Sequence, residues 1–265
     1  MDFAYTEEDE AFRAELTSWL DAQLPIFLEK WAERDGLEGA DTAGAGASGV
    51  MAQLERRRSW QRLLNEGRWA AINWPQEWGG RDATVTQNVI YSEVMAAYRT
   101  PGIYNTNGLW QIGPMIMQWG SDAQKQLWLA NILNADDHWC QGFSEPEAGS
   151  DLANLRTTAV LDGDDYVVTG QKTWTSSAHI ARWGLFLVRT DPSALDRGAQ
   201  HEGITALIID LEAEGIEIRP IRDIAGEEMF CDVFFDGARV PAAYRLGEEG
   251  AGWQVAMGTL GRERV

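Results

Sequence analysis

The sequence predicts an α+β protein with a helical N-terminal part, an antiparallel β-sandwich or barrel in the middle, and the start of a further helical part. Apolar residues recur at helical spacing through the first 135 residues. Short runs of β-forming residues, separated by turns, then follow, and a helical pattern returns near Gly250. We therefore expect domains at residues 1–135, 136–249 and 250–265.

The helical prediction begins at Thr6, a favourable N-cap that is followed by acidic residues in the first turn. Apolar residues from Phe12 to Leu24 keep helical spacing and predict a helix that ends before Pro25. Further helical patterns cover Met51–Leu64, Gln87–Ala97, Asn107–Gln118 and Ala123–Leu133. The stretch "NWPQEWGG" (Asn73–Gly80) predicts a turn.

The β prediction depends on six runs of strand-forming residues. They are Thr157–Leu161, Tyr166–Thr169, Trp183–Arg189, Ile204–Asp210, Ile216–Pro220 and Cys231–Phe235. The turn sequence Asp162–Asp165 between the first two predicts a hairpin. Many short strands with regular turns are typical of a small antiparallel sandwich or barrel.

The last helical pattern contains Trp253, Val255, Ala256 and Leu260 and continues to Val265 without a capping residue. We therefore expect either that the sequence is truncated within a helical domain or that it is a natural short subunit completed by another chain.

Composition argues against two classes of partner. The formal net charge is −19, from 41 acidic and 22 basic residues. This field repels nucleic acids and anionic membrane surfaces, so neither is expected as a partner. The N-terminus has no signal-peptide pattern and no apolar run is long enough to span a membrane. The two cysteines form no CxxC motif, and a cytoplasmic location is expected.

Three familiar site motifs are excluded by their context. The three histidines have no metal-ligand spacing to one another or to the cysteines, so no metal site is expected. No G-x-S-x-G sequence supports a serine nucleophile. The stretch "GAGASG" (Gly44–Gly49) matches a dinucleotide-binding pattern literally, but a polar segment precedes it where a buried strand is required. A flexible loop between helices is the better interpretation.

Two polar stretches remain as candidate binding segments. They are "GFSEPEAGSD" (Gly142–Asp151) and "GQKTWTSSAH" (Gly170–His179), and both lie at the ends of predicted strands. Each combines hydroxyls and small residues with an aromatic side chain. Such groups suit a flat ligand that carries ring carbonyls and nitrogens. The alternative is two surface turns with an interleaved core tryptophan.

These stretches resemble the β-domain signature of the acyl-CoA dehydrogenase family. The resemblance lies in "FSEPEAGSDLAN" and "VVTGQKTWTSSAHIARWGLFLVRTD", and it extends to "NWPQEWGG", "VFFDGARVP" and "GWQVAMGTLGRERV". It therefore covers nearly the whole chain. The stretches "QKTWTSSAHIARWG" and "IAGEEMF" are similar in sequence to the corresponding stretches of bacterial members that act on bulky or steroid-like acyl-CoAs.

The resemblance implies a flavoprotein oxidoreductase of lipid metabolism that uses FAD to convert an acyl-CoA thioester to the trans-2-enoyl-CoA. It further implies an electron-transferring flavoprotein as acceptor. A homo- or heterotetramer would form through a C-terminal helical domain that this sequence lacks. Two alternatives stay open: a non-catalytic subunit of a heteromeric acyl-CoA dehydrogenase, and a flavin oxidase or monooxygenase on the same fold.

The resemblance also implies roles for individual residues. Cofactor contacts are implied for Gln141, Gly142, Phe143, Ser144, Trp174, Thr175 and Ser176. Ser150 and Arg264 match positions that contact the acyl-CoA, and Glu263 matches the catalytic base of some branches. A surface position for Glu263, paired with its neighbouring arginines, stays open, as does a base supplied from outside this chain.

Overall fold

The structure, a computed structural model, describes residues 5–35 and 47–262. It consists of two compact units, one of residues 1–104 with 133–135, the other of residues 105–132 with 136–265. The first unit is helical, and the second contains the whole sheet together with its own helices. The predicted α+β class, with a helical first part, a β middle part and a terminal helix, is confirmed.

The first unit contains helices α1 (Glu7–Asp35), α2 (Ala47–Glu66) and α3 (Val85–Ala97), and a short 3-10 turn at Gln76–Trp78. Thr6 caps α1 as predicted, since its hydroxyl accepts a hydrogen bond from the backbone N–H of Asp9 at 3.1 Å. Thr84 caps α3 in a reciprocal capping box with Gln87.

The prediction that the first helix ends before Pro25 is wrong. Helix α1 continues through Pro25 to Asp35. A proline inside a helix costs about 3 kcal/mol because it removes a backbone donor and crowds the preceding turn. Phe27 and Trp31 are buried on the far side of Pro25. Burial of such side chains stabilises by about 1.5–3 kcal/mol each, enough together to outweigh the cost of the proline.

The glycine-rich stretch at 44–49 is partly helical, because α2 begins at Ala47. Residues 44–46 lie outside the described residues. Among the residues that the structure describes, no helix has the length and apolar character needed to cross a membrane.

The second unit contains eight strands and four α-helices within the described residues. The strands are β1 (Trp139–Gly142), β2 (Thr158–Asp162), β3 (Asp165–Ser176), β4 (Trp183–Arg189), β5 (Ile204–Asp210), β6 (Ile216–Ile221), β7 (Phe230–Pro241) and β8 (Arg245–Leu246). The helices are α4 (Gly113–Trp119), α5 (Asp122–Leu133, which ends in the first unit), α6 (Ser193–Asp196) and α7 (Gly252–Arg262). All six predicted strands are confirmed, and β1 and β8 are additional.

The sheet has the order β6-β7-β3-β2-β4-β5-β8, and β1 pairs with β4 outside this path. Most pairs are antiparallel, but β1 lies parallel to β4, and β2 meets β4 in parallel only at Thr158 and Arg189. Because β5 occupies one whole edge of β4, β1 and β2 share the other edge. The segment 143–157 therefore leaves the sheet between them.

One face of the sheet encloses an apolar core centred on Phe186, whose ring contacts Phe235 edge-to-face at 5.3 Å. Gly142 and Gly184 lie beneath this ring, and a Cβ atom on either would overlap it. The opposite face carries an aromatic cluster in which Trp139 stacks on Trp183 at 6.0 Å. Residues of both faces of β4 and β5 are buried, which accounts for their uninterrupted apolar runs.

The helix predicted at Asn107–Gln118 is divided in two. Its first part, Asn107–Ile112, is π-helical, and α4 follows at Gly113. The break coincides with Pro114, which has no backbone N–H to continue an α-helical pattern.

Candidate functional site

The segment that leaves the sheet after β1 is held by a buried ion pair between Glu145 and Lys172. The Lys172 ammonium lies 2.8 Å from Glu145 Oε1 and donates a second hydrogen bond to the carbonyl of Phe143 at 3.1 Å. The Lys172 side chain is fully buried, and that of Glu145 is 8% exposed. Glu145 also accepts the backbone N–H groups of Arg156 at 2.6 Å and Thr157 at 2.9 Å. One carboxylate therefore ties both ends of the segment to β3.

The environment shifts the pKa values of both partners. Burial lowers the pKa of Lys172 from 10.5 to about 8, although the Glu145 carboxylate opposes this change. Burial alone would raise the pKa of Glu145, but Lys172 and the hydrogen bonds from Arg156 and Thr157 outweigh it and hold the pKa below 4.5. Both groups are therefore charged at neutral pH.

A second buried cation, Arg189 of β4, holds the later part of the segment. Its guanidinium donates to the carbonyl oxygens of Ala153 at 2.6 Å, Leu155 at 2.9 Å and Gln200 at 3.1 Å. Lys172 and Arg189 thus attach successive parts of the segment 143–157 to two different strands.

The second candidate stretch departs from regular strand geometry beside this segment. A register shift lies between Lys172 and Thr175 of β3, and Trp174 within it has a left-handed backbone with φ of 56°. Ser177 is also left-handed, with φ of 59°. Bulky residues rarely adopt this conformation, and where it persists the surroundings impose it, commonly at functional sites.

This departure turns the Trp174 side chain outward. The residue is 59% exposed, and its ring packs edge-to-face on Phe230 with ring centroids 5.8 Å apart. The neighbouring Thr173 N–H donates to the carbonyl of Ser144 at 2.9 Å. The structure therefore brings the two candidate stretches into direct contact and leaves a large aromatic face open beside them.

Apart from Trp174, the predicted contact residues fall into two groups. Ser144, Ser176 and Gln141 are half-buried, and the Oε1 atom of Gln141 is buried without a hydrogen-bond partner. Gly142 faces the Phe186 ring, Thr175 lies directly opposite the core residue Cys231, and Phe143 is buried. A ligand would reach Gly142 and Thr175 through their backbones.

The implied substrate and base residues are placed less fully. Ser150 is exposed on the segment that Glu145 and Arg189 hold. Glu263 and Arg264 lie outside the described residues, which end at Arg262 in helix α7. In residues 5–35 and 47–262, no group of histidine, cysteine, aspartate and glutamate side chains could hold a metal ion.

The role of Lys172 was not predicted, although the sequence contains a signal for it. Tyr166 and Val168 of β3 face the core, and Lys172 continues this alternation as a charge at a core-facing position. A buried lysine requires a buried acceptor. Glu145, in the other candidate stretch, is that acceptor.

Comparison with known proteins assigns the family. The sequence matches the N-terminal domain of acyl-CoA dehydrogenases over residues 6–136 and their middle domain over residues 140–238. This chain belongs to the acyl-CoA dehydrogenase family. The family comprises FAD-dependent flavoprotein oxidoreductases of lipid metabolism, and the expected membership is confirmed.

Individual acyl-CoA dehydrogenases match along almost the whole chain. Acyl-CoA dehydrogenase IpdE1 of Mycobacterium tuberculosis is 38% identical over 262 residues, which cover 97% of this chain and 63% of that protein. The ChsE4–ChsE5 complex from Mycobacterium tuberculosis matches with 35% identity and a TM-score of 0.75, over 99% of this chain and 61% of that chain. The Tcur3481–Tcur3483 steroid ACAD matches with 30% identity and a TM-score of 0.77, over 100% and 63%. The chain thus spans less than two thirds of the length of these relatives.

The residues present fit the flavin that the family uses. A flavin has a flat ring system with carbonyl and N–H groups along one edge, so it needs an aromatic or apolar wall and hydrogen-bonding partners. Trp174 offers an open aromatic face, and the half-buried Ser144 and Ser176 carry hydroxyls that can donate and accept hydrogen bonds. The buried, unpartnered Gln141 Oε1 supplies an acceptor whose burial without a hydrogen bond is otherwise costly.

The first prediction concerns the cation that holds the segment. Replacement of Lys172 by methionine should lower the free energy of unfolding by about 3–5 kcal/mol, because Glu145 would remain buried without its partner. Denaturant titration followed by circular dichroism measures this loss. Lys125→Met is the control, since Lys125 lies 3.8 Å from an exposed Asp122 carboxylate, and a change of below about 0.5 kcal/mol is expected. Equal losses in the two variants would contradict the role assigned to the buried pair.

The second prediction concerns pH. Because the pKa of Glu145 is lowered on folding, the unfolded chain takes up this proton first as pH falls. The stabilisation is therefore complete above pH 4.5 and is lost as pH falls towards the lower folded pKa. Glu145→Gln should flatten the dependence of unfolding free energy on pH in this range. Glu147→Gln, on the exposed side of the same segment, controls for the change of charge alone. An unchanged slope in Glu145→Gln would show that this carboxylate is not the linked group.

Proposed function

We propose that this chain forms the N-terminal and β-domain part of a flavin-dependent acyl-CoA dehydrogenase that converts a bulky acyl-CoA thioester to its trans-2-enoyl-CoA. The observation that carries the proposal is the direct contact between the two candidate stretches, with Lys172, Glu145 and the Thr173–Ser144 hydrogen bond holding them beside the open face of Trp174. The domain boundaries 1–135, 136–249 and 250–265 stay a prediction.

Trp174 would form the wall of the flavin site, and the segment from Gln141 to Ser144 would meet its polar edge, with Ser176 adjacent. Bound FAD supplies the acceptor for the hydride that leaves the β-carbon of the acyl group. Glu263 takes the α-proton in the same reaction, for which a carboxylate in a dry site is a stronger base. Ser150 and Arg264 are the proposed contacts to the acyl-CoA. An electron-transferring flavoprotein is the proposed final acceptor.

A bulky, steroid-like acyl group is supported by the relative described as a steroid ACAD, to which this chain is 30% identical along its full length. The sequence stretches "QKTWTSSAHIARWG" and "IAGEEMF" point to the same branch.

A second candidate function is a subunit that shapes the site of a partner polypeptide without performing the chemistry. The solved relatives support the two-polypeptide assembly that this candidate requires, since the ChsE4–ChsE5 complex and the Tcur3481–Tcur3483 ACAD are each named for two polypeptides. The two candidates differ in whether Glu263 is required.

The third prediction tests the flavin wall. Replacement of Trp174 by alanine should weaken FAD binding about tenfold, because loss of an aromatic stacking partner costs about 1.5 kcal/mol. Quenching of free FAD fluorescence on titration with the protein, in its assembly where one is required, gives the dissociation constant. Leu161→Ala removes an apolar side chain of similar exposure, 54%, from β2 of the same sheet and should leave binding unchanged. If Trp174→Ala binds FAD as tightly as the wild type, the proposed wall is wrong.

The fourth prediction tests the reaction and its base. An acyl-CoA panel that includes steroid-like thioesters, added anaerobically to the FAD-loaded protein, should bleach the flavin absorbance with at least one member. Glu263→Gln should slow this bleaching at least 100-fold, the usual contribution of a general base, while FAD stays bound. Glu248→Gln, with a side chain that is 94% exposed, is the control.

Each outcome of this experiment separates the candidates. Unchanged bleaching in Glu263→Gln would place the base outside this residue and favour the partner-shaping subunit. Absence of bleaching with every thioester would overturn the dehydrogenase proposal, and rapid reoxidation of the reduced flavin by air would favour an oxidase.

A further inference from the structure

The π-helical segment Asn107–Ile112 is attached to the strand that precedes the candidate site. The N–H of Gly113 bonds to the carbonyl of Gly108, the five-residue spacing of a π-helix. This segment contacts both β1 and helix α7 within the second unit. A shift of this segment would therefore displace both β1, which contains Gln141 and Gly142, and helix α7.

The buried side chain of Asn105 contributes to this attachment. Asn105 is fully buried. Its Oδ1 atom accepts the N–H of Gly108 at 3.2 Å and the N–H of Trp139, the first residue of β1, at 3.1 Å. Its Nδ2 atom donates to the carbonyl of Asp137 at 3.1 Å. The two N–H donors require an oxygen and the carbonyl requires a donor, so only an amide of this size and orientation satisfies all three.

Gly108 is shaped to this arrangement. A Cβ atom at residue 108 would overlap the amide group of Asn105. Its backbone does not lie in the left-handed region, so the requirement for glycine comes from the neighbouring amide and not from backbone strain. Asn105 and Gly108 therefore form one unit, in which the close approach of the turn depends on the absence of a side chain.

We infer that Asn105 is a positioning residue that fixes the π-helical segment to the start of β1 and thereby sets the place of Gln141–Ser144. β1 comprises only Trp139–Gly142, and its pairing with β4 is the ladder that holds it. The hydrogen bond from Trp139 to Asn105 adds to this ladder at the first residue of so short a strand. The inference deepens the proposed function, since the ligand that would meet this segment is the proposed flavin.

Hydrogen exchange decides the local part of the inference without any cofactor. In Asn105→Ala the Trp139 amide loses its acceptor, so its protection from exchange should fall about tenfold or more, and protection should also fall at residues 140–142. Asn131→Ala is the matched control: it removes a 3.4 Å hydrogen bond to the side chain of the same Asp137 but leaves the Trp139 bond intact. Protection at residues 139–142 that is equal in Asn105→Ala and the wild type would overturn the inference, whether or not the protein binds FAD.

Flavin binding decides the functional part, at a temperature where every variant is folded. Asn105→Ala should weaken FAD binding about tenfold and alter the fine structure of the flavin absorbance band, because the segment Gln141–Ser144 would no longer be held in place. Asn105→Asp keeps an acceptor for both N–H groups but loses the donor to the Asp137 carbonyl, so it should restore only part of the affinity. A merely structural role would lower the melting temperature of Asn105→Ala with unchanged flavin affinity and spectrum, and that result would overturn the positioning role.

The Asn105–Gly108 pairing has its own check. Gly108→Ala should lower the melting temperature through its overlap with the Asn105 amide, whereas the double variant Asn105→Ala, Gly108→Ala should be no less stable than Asn105→Ala alone. Additive losses would contradict the pairing. If the wild type itself fails to bind FAD, the proposed function fails, while hydrogen exchange and this cycle still decide the role of Asn105.

Discussion

The arrangement of the candidate site depends on the buried ion pair between Glu145 and Lys172. An ion pair in a protein core gains little net stability, because removing two charges from water costs nearly as much as their attraction returns. Here the pair matters more for the conformation of the segment 143–157 than for net stability. The Glu145 carboxylate can accept about four hydrogen bonds. Three of them come from Lys172 and from the N–H groups of Arg156 and Thr157. Few other conformations of the segment would satisfy this carboxylate.

The sheet explains why such a clamp is needed. β1 pairs with the first half of β4, whereas β2 reaches the same edge only at Arg189. The segment between these two strands has only an isolated bridge between Glu145 and Ala148, so many of its backbone groups need partners elsewhere. Glu145, Lys172 and Arg189 supply these partners from within the core. These contacts hold the segment 143–157 in one conformation, although it lies outside the sheet.

A small number of buried contacts also fixes the second candidate stretch, Gly170–His179. The irregularity in β3 turns Trp174 outward in a left-handed conformation, and the N–H of the preceding Thr173 bonds to Ser144. A strained residue persists where the surroundings determine it more strongly than its own preference does. Lys172 is buried on one side of the irregularity and Thr175 on the other, so the intervening Trp174 cannot relax without disturbing the core.

Much of the fold could be predicted from local pattern. All six expected strands are present because their apolar runs and turn sequences are local signals, and Thr6 and the helical spacing after it correctly mark the start of α1. The course of that helix beyond Pro25 could not be predicted, because burial of Phe27 and Trp31 decided it. The short strand β1 was missed because its parallel partner β4 lies far along the chain. The candidate stretches were found from composition, but Lys172 and Asn105 act through distant partners.

The buried polar character of Lys172 and Asn105 favours a binding segment over an ordinary surface turn. A surface turn needs only local hydrogen bonds and tolerates variation in position. This segment instead engages a buried lysine, a buried arginine and, through β1, a buried asparagine. Exchange of Arg189 or Asn105 for an apolar side chain would leave buried backbone groups without hydrogen-bond partners. What the polar groups provide and apolar ones would not is a fixed direction for the backbone. Recognition of a flat polar ring requires a fixed backbone beside an open aromatic face. A turn that only joins two strands does not require a fixed backbone.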